Sequence, residues 1–124
     1  AFLERRVRLE SVQNAMEQGR IVARNLLGKA EPYQNVPWFW SDQYDLKLQM
    51  VGISTGYEQL VLRGNLETDR SFAAFYLKGG KLIAADAVSR PQEFMAAKKM
   101  VAQGKVVDPA VLADPEASLK DLAV

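Results

Sequence analysis

The 124-residue chain contains no cysteine and no histidine. The first absence removes disulfides, thiolate catalysis and cysteine-ligated metal or iron–sulfur centres. The second removes the usual general base and most zinc designs. No stretch approaches the roughly 20 apolar residues of a membrane span, and the amino terminus lacks the apolar run and small-residue site of a secretory signal. A strong charge bias is missing too. Sixteen Lys and Arg against fifteen Asp and Glu give a formal net charge of +1, without the basic excess of a nucleic-acid binder. No glycine-rich loop precedes a helix, so no phosphate cradle is present. The chain is therefore not a self-sufficient enzyme, and the expectation is a cytoplasmic protein with neither a membrane nor a nucleic-acid partner.

What remains is ordinary for a globular domain, with 48% hydrophobic and 25% charged residues, enough to bury about two-thirds of the unfolded surface. Residues 1–10 alternate Arg6 and Arg8 with Val7 and Leu9, which suits a short strand or an extended lead-in. Ser11 can cap a helix running to Leu27, since Val12, Ala15, Met16, Gly19, Val22, Ala23, Leu26 and Leu27 recur at helical spacing and Gly28 supplies the stop. The opposite face, Gln13, Glu17, Arg20 and Arg24, reads as a solvated surface with a weak Glu17–Arg20 pair. Residues 29–45, with Pro32, Pro37 and both tryptophans, read as a loop.

The period then changes. Leu46, Leu48 and Met50 alternate with Lys47, Gln49 and Val51 up to Gly52, YEQLVLR over residues 57–63 repeats the theme, and SFAAFYLK and KLIAADAV are joined by Gly79-Gly80 as a hairpin. Pro91 opens a second helix to Gln103, with Phe94, Ala97, Met100 and Val101 inward, Lys98 and Lys99 outward, and Gly104 as the stop. Asp108-Pro109, Asp114-Pro115 and Ser118 start short turns of helix. The sum is an α+β fold, an antiparallel sheet of three to five strands with C-terminal helices, preceded by one helix. A boundary falls near 31–36. Residues 1–30 carry six basic and three acidic residues, a net +3, and are too short to bury their own apolar face.

Two readings compete for VPWFWSDQ, residues 36–43. Trp38, Phe39 and Trp40 either plug the sheet edge, or offer a stacking surface to a planar partner such as a flavin. Asp42 and Asp45 read as cap and turn residues rather than as a catalytic carboxylate pair.

The segments RRVRLESVQNAMEQGRIVARNLLG, VPWFWSDQYDLKLQMVG, YEQLVLRGN and FYLKGGKLIAADAVSRP together resemble the C-terminal third of FAD-dependent NAD(P)H:ferredoxin reductases. The subgroup is the putidaredoxin-reductase-like one that serves bacterial cytochrome monooxygenases and aromatic-ring dioxygenases. The resemblance implies that residues 1–30 are a strand and helix of an FAD-binding domain and that 31–124 form the C-terminal interface domain. It implies FAD and NAD(H) as cofactors of the intact enzyme, with hydride passing from NADH to the flavin and single electrons leaving for a 2Fe-2S ferredoxin. Reactive atoms then belong to the cofactors, which fits a segment without catalytic side chains.

On that resemblance Glu10, Ser11 and Val12 face the cofactor, Trp40 stands at the flavin edge on the ferredoxin side, and Trp38 is its supporting wall. Arg20 is the leading contact for an acidic ferredoxin, with Lys98 and Lys99 as outer members. The glycine motifs of such enzymes are absent here, so the chain by itself is expected to be inactive and without tightly bound FAD. The alternative is a non-catalytic interaction or dimerisation module that self-associates through the apolar stripe of residues 12–27.

Overall fold

The computed structural model describes residues 6–124; the beginning of the expected N-terminal strand, residues 1–5, lies outside them. Residues 6–10 are irregular rather than strand. Helix α1 follows at Val12–Leu26. Ser11 caps it in extended conformation, its Oγ accepting the Asn14 N–H at 3.1 Å, which supplies an acceptor to one of the first-turn N–H groups that a helix leaves unpaired.

Five antiparallel strands come next: β1 (Trp38–Gln43), β2 (Leu46–Gly52), β3 (Gln59–Arg63), β4 (Phe72–Lys78) and β5 (Lys81–Val88). They form one sheet in the order β1-β2-β5-β4-β3. β1 corrects the reading of 29–45 as continuous loop. The strand escapes sequence reading because the tight turn that pairs Gln43 with Leu46 contains no glycine. Tyr44 instead takes φ 56° at its first corner, a left-handed place usually given to glycine. Pro37 immediately precedes this edge strand, a position where proline is tolerated, and its carbonyl accepts the Gly52 N–H at 2.8 Å.

Gly52 ends β2 at φ 77°, and a Cβ there would lie 2.1 Å from the Ile83 carbonyl oxygen. Only glycine lets β2 approach β5 so closely.

Helix α2 (Pro91–Gln103) lies across one face of the sheet. Its Phe94, Ala97, Met100 and Val101 are buried with Val51, Phe75, Leu77, Leu82, Ala85 and Ala87, which is the inward set read from its periodicity. Short helices α3 (Pro109–Ala113) and α4 (Leu119–Leu122) close the same side. Arg63, only 4% exposed, ties α3 and the turn after it to the sheet. Its guanidinium donates to the carbonyls of Leu112, Asp114, Pro115 and Ala117 at 2.5–3.4 Å and lies 3.5 Å from Glu93. A buried charge is tolerated because both terminal nitrogens meet carbonyl acceptors and the Glu93 carboxylate stands 3.5 Å from Nε, which makes no hydrogen bond of its own.

The helix-free face of the sheet remains partly open, with Phe39, Leu60 and Leu62 exposed. So does the apolar stripe of α1, where Val12, Met16 and Val22 are exposed and Leu26 reaches 83%. Among the described residues, no helix is long and apolar enough to cross a membrane.

Candidate functional site

The N-terminal half of the α1 face read as solvated, at Gln13 and Glu17, meets the sheet edge and the segment before it, while Arg20 and Arg24 stay exposed. Gln13 and Asn14 are the buried residues of the helix. Gln13 Oε1 accepts the Trp38 N–H at 3.3 Å, a donor that an edge strand would otherwise leave to water. The expected Glu17–Arg20 pair does not form. Glu17 instead accepts hydrogen bonds from Gln13, from Asn35 and, at 3.4 Å, from the Tyr33 hydroxyl. Burial, with the Glu17 charge beside it, raises the Tyr33 pKa above its ordinary value. These bonds lash the 31–36 segment to α1, and Arg24 adds an ion pair to Glu31 at 2.9 Å. The i,i+4 spacing of Gln13 and Glu17 was the available signal, but polar residues on a helix flank otherwise announce solvent.

Arg20 is thereby left to itself: it is exposed and pairs with no carboxylate among the described residues. It lines a cleft of about 210 Å³ with Val12, Met16, Glu17, Trp38 and Trp40. Strand alternation puts both indoles on the α2 side of β1. Their ring centroids are 5.4 Å apart with planes tilted by 30°. Trp38 is half-buried and packs against Phe94 at 6.0 Å. Trp40 keeps 36% of its surface exposed. The aromatic triplet therefore divides its work: Trp38 fills the sheet edge, and Trp40 faces outward beside a cation.

A second cleft, of about 350 Å³, lies between the lead-in to α1 and the sheet. Arg8, Glu10 and Ser11 form one wall, with Phe39, Met50 and Asp86 among the residues opposite. Trp38 lines both clefts, so it stands between Glu10 and Ser11 on one side and Arg20 and Trp40 on the other. The Val12 and Gln13 N–H groups, at the start of α1, donate to no acceptor among the described residues. Asp86 accepts the Tyr76 hydroxyl at 2.7 Å; burial first, and this bond and charge second, push the Tyr76 pKa up to about 12.

The remaining candidates separate. Lys98 does not project outward: its Nζ lies 4.5 Å from the centroid of the Trp38 ring. Lys99 lines a different cleft, with Gln92, Met95 and Lys120. Asp42 pairs with Lys47 across the β1–β2 hairpin at 3.6 Å and Asp45 with Arg70 at 2.6 Å, so neither belongs to a carboxylate dyad.

A reductase C-terminal family profile matches residues 38–123. The chain belongs to that family. It is 45% identical over 118 residues to the ferredoxin reductase subunit of 5,5'-dehydrodivanillate O-demethylase from Sphingobium sp., covering 95% of this chain and 28% of the relative. Putidaredoxin reductase of Pseudomonas putida is 44% identical over 119 residues, covering 96% of this chain and again 28% of the relative. Among solved structures, a covalent putidaredoxin reductase–putidaredoxin complex superimposes with a TM-score of 0.90 at 43% identity, over 98% of this chain and 29% of the other. The family and the α+β architecture read from the sequence are thus shown, and the chain spans little more than a quarter of the length of the relatives it matches.

Proposed function

We propose that this chain is the C-terminal segment of an FAD-dependent NAD(P)H:ferredoxin reductase serving a monooxygenase or dioxygenase, and that its part is to wall the flavin and dock the ferredoxin. The observation that carries the reading is the shared cleft of Arg20 and Trp40, two residues far apart in sequence that α1 and β1 bring to one surface. The likeness to a reductase solved together with its redoxin supports it.

The residues fit the flavin. Glu10, Ser11 and Trp38 line one cleft, and the unpaired N–H groups that open α1 favour electron-rich atoms at that end of the helix. Ser11, Val12 and Trp38 would hold the group and Glu10 would contact it or the pyridine nucleotide. FAD, when bound, supplies the hydride acceptor and the single-electron donor. This chain's residues exclude water with the indole of Trp38, present Trp40 at the edge and leave the Arg20 guanidinium exposed. An exposed cation at a rim steers an acidic partner and sets the salt dependence of its arrival, which suits a redox encounter that must also release quickly. On this reading residues 1–30 finish the FAD-binding domain, and 31–124 are the interface domain.

The test joins the chain to its upstream nucleotide-binding domains. A yellow protein that reduces a 2Fe-2S ferredoxin with NADH is expected, whereas the 124-residue chain stays colourless after FAD is added and removed by gel filtration. A full-length protein that binds FAD yet reduces no ferredoxin would defeat the proposal. The exposed stripe of Val12, Met16, Val22 and Leu26 favours one further reading, a self-associating module. Sedimentation of the chain as a strict monomer at high concentration would remove it.

A further inference from the structure

The two tryptophans are supported from α2. Phe94 and Lys98 stand one turn apart on that helix and therefore share a face. Phe94, buried in the core, meets the Trp38 ring at 6.0 Å and 55°. Lys98 places its ammonium 4.5 Å from the ring centroid, well inside the range at which a cation is drawn to the indole quadrupole. Trp38 in turn is the aromatic neighbour of Trp40. No carboxylate pairs with Lys98 among the described residues, so the indole is the group that holds its charge.

We propose that Lys98 is a positioning residue: its ammonium fixes the Trp38 ring against Phe94, and through that ring fixes the orientation of Trp40 beside Arg20. The inference rests on reading that cleft as the ferredoxin face, and departs from it in giving Lys98 no contact with the partner. β1 is an edge strand, so Trp40 has a paired strand on one side alone, and its indole depends on Trp38 for lateral support. A displacement of about 1 Å in a group that must meet a reacting partner can cost two orders of magnitude in rate, which makes a clamp on the ring worth having. Arg20, unclamped, is left to meet the partner's charge.

The chain's only two tryptophans are Trp38 and Trp40, so an indole–indole exciton couplet in circular dichroism reports this pair. In the 124-residue chain, Lys98→Met is expected to reduce that couplet about twofold or more. Lys98→Arg, which keeps a cation over the ring, should restore it, and Lys99→Met should leave it intact. In the full-length reductase, Lys98→Met should lower kcat for ferredoxin about fivefold with KM and its salt dependence unchanged. Arg20→Gln should instead raise KM and flatten the salt dependence. An unchanged couplet in Lys98→Met overturns the inference, as does a loss that appears in KM and salt dependence, which would make Lys98 a direct contact. If the wild-type enzyme reduces no ferredoxin, the functional reading fails, while the couplet still decides whether Lys98 orders the rings.

Discussion

Replacing Arg63 with methionine removes a cation that four carbonyls and Glu93 share. Methionine fills most of the volume but donates nothing. The carbonyls of Leu112, Asp114, Pro115 and Ala117 are then left to whatever water can reach them, and the Glu93 carboxylate, 12% exposed, retains only Arg90 at 3.3 Å. Removing one partner of a buried ion pair costs about 3–5 kcal/mol. With an unfolding entropy of about 2.1 cal/mol/K per residue, a chain of this length should lose roughly 10–20 °C in Tm. Thermal unfolding followed by circular dichroism measures it directly. Arg63→Lys keeps the charge without the fork that spans several carbonyls, and should fall between wild type and Arg63→Met. Adding Glu93→Gln to Arg63→Met should return part of the loss, because the stranded charge is gone. A Tm shift in Arg63→Met of under about 3 °C would refute the view that this side chain ties α3 and the turn after it to the sheet.

Gly52→Ala should cost at least about 3 kcal/mol in chemical denaturation, because a Cβ at 2.1 Å from the Ile83 oxygen forces β2 away from β5 and the left-handed φ adds strain. Arg20→Glu in the full-length enzyme should raise the ferredoxin KM about tenfold or more and weaken its salt dependence, read by steady-state kinetics across ionic strength. Tyr76 has its pKa raised from 10.0 to about 12 in the folded state; folding therefore favours the protonated phenol. The stability it lends is complete below pH 10 and is lost as pH rises from there through 12. Alkaline unfolding of Tyr76→Phe should accordingly lose that dependence, and an identical pH profile in the variant would count against the Asp86 bond and burial as its cause.

The elements whose partners are local were legible in the sequence. The helix bounded by Ser11 and Leu27, the Gly79-Gly80 hairpin and the Pro91–Gln103 helix with its inward Phe94 and Met100 all follow from spacing and caps, and all stand where expected. β1 was hidden because its turn uses Tyr44 in place of glycine, and two prolines nearby argue for loop. The polar face of α1 misled for a physical reason: Gln13 is buried where it accepts from the edge strand and Glu17 is tied to the segment before that strand, while the apolar stripe stays exposed. Arg63 gave no warning, since an arginine at a strand end is ordinary until the C-terminal segment folds over it. At the candidate site, Arg20 and Trp40 do come together, whereas Lys98 turned out to sit on Trp38; a cation–π contact between helix and strand leaves no mark in the spacing of either.

The claim that this chain forms the exit face for electrons is tested most directly by rapid mixing of the full-length reductase carrying Trp40→Ala. Flavin reduction by NADH should stay within about twofold of wild type, while the following reduction of ferredoxin slows about tenfold or more. Equal ferredoxin-reduction rates in the variant and the wild type would contradict the account.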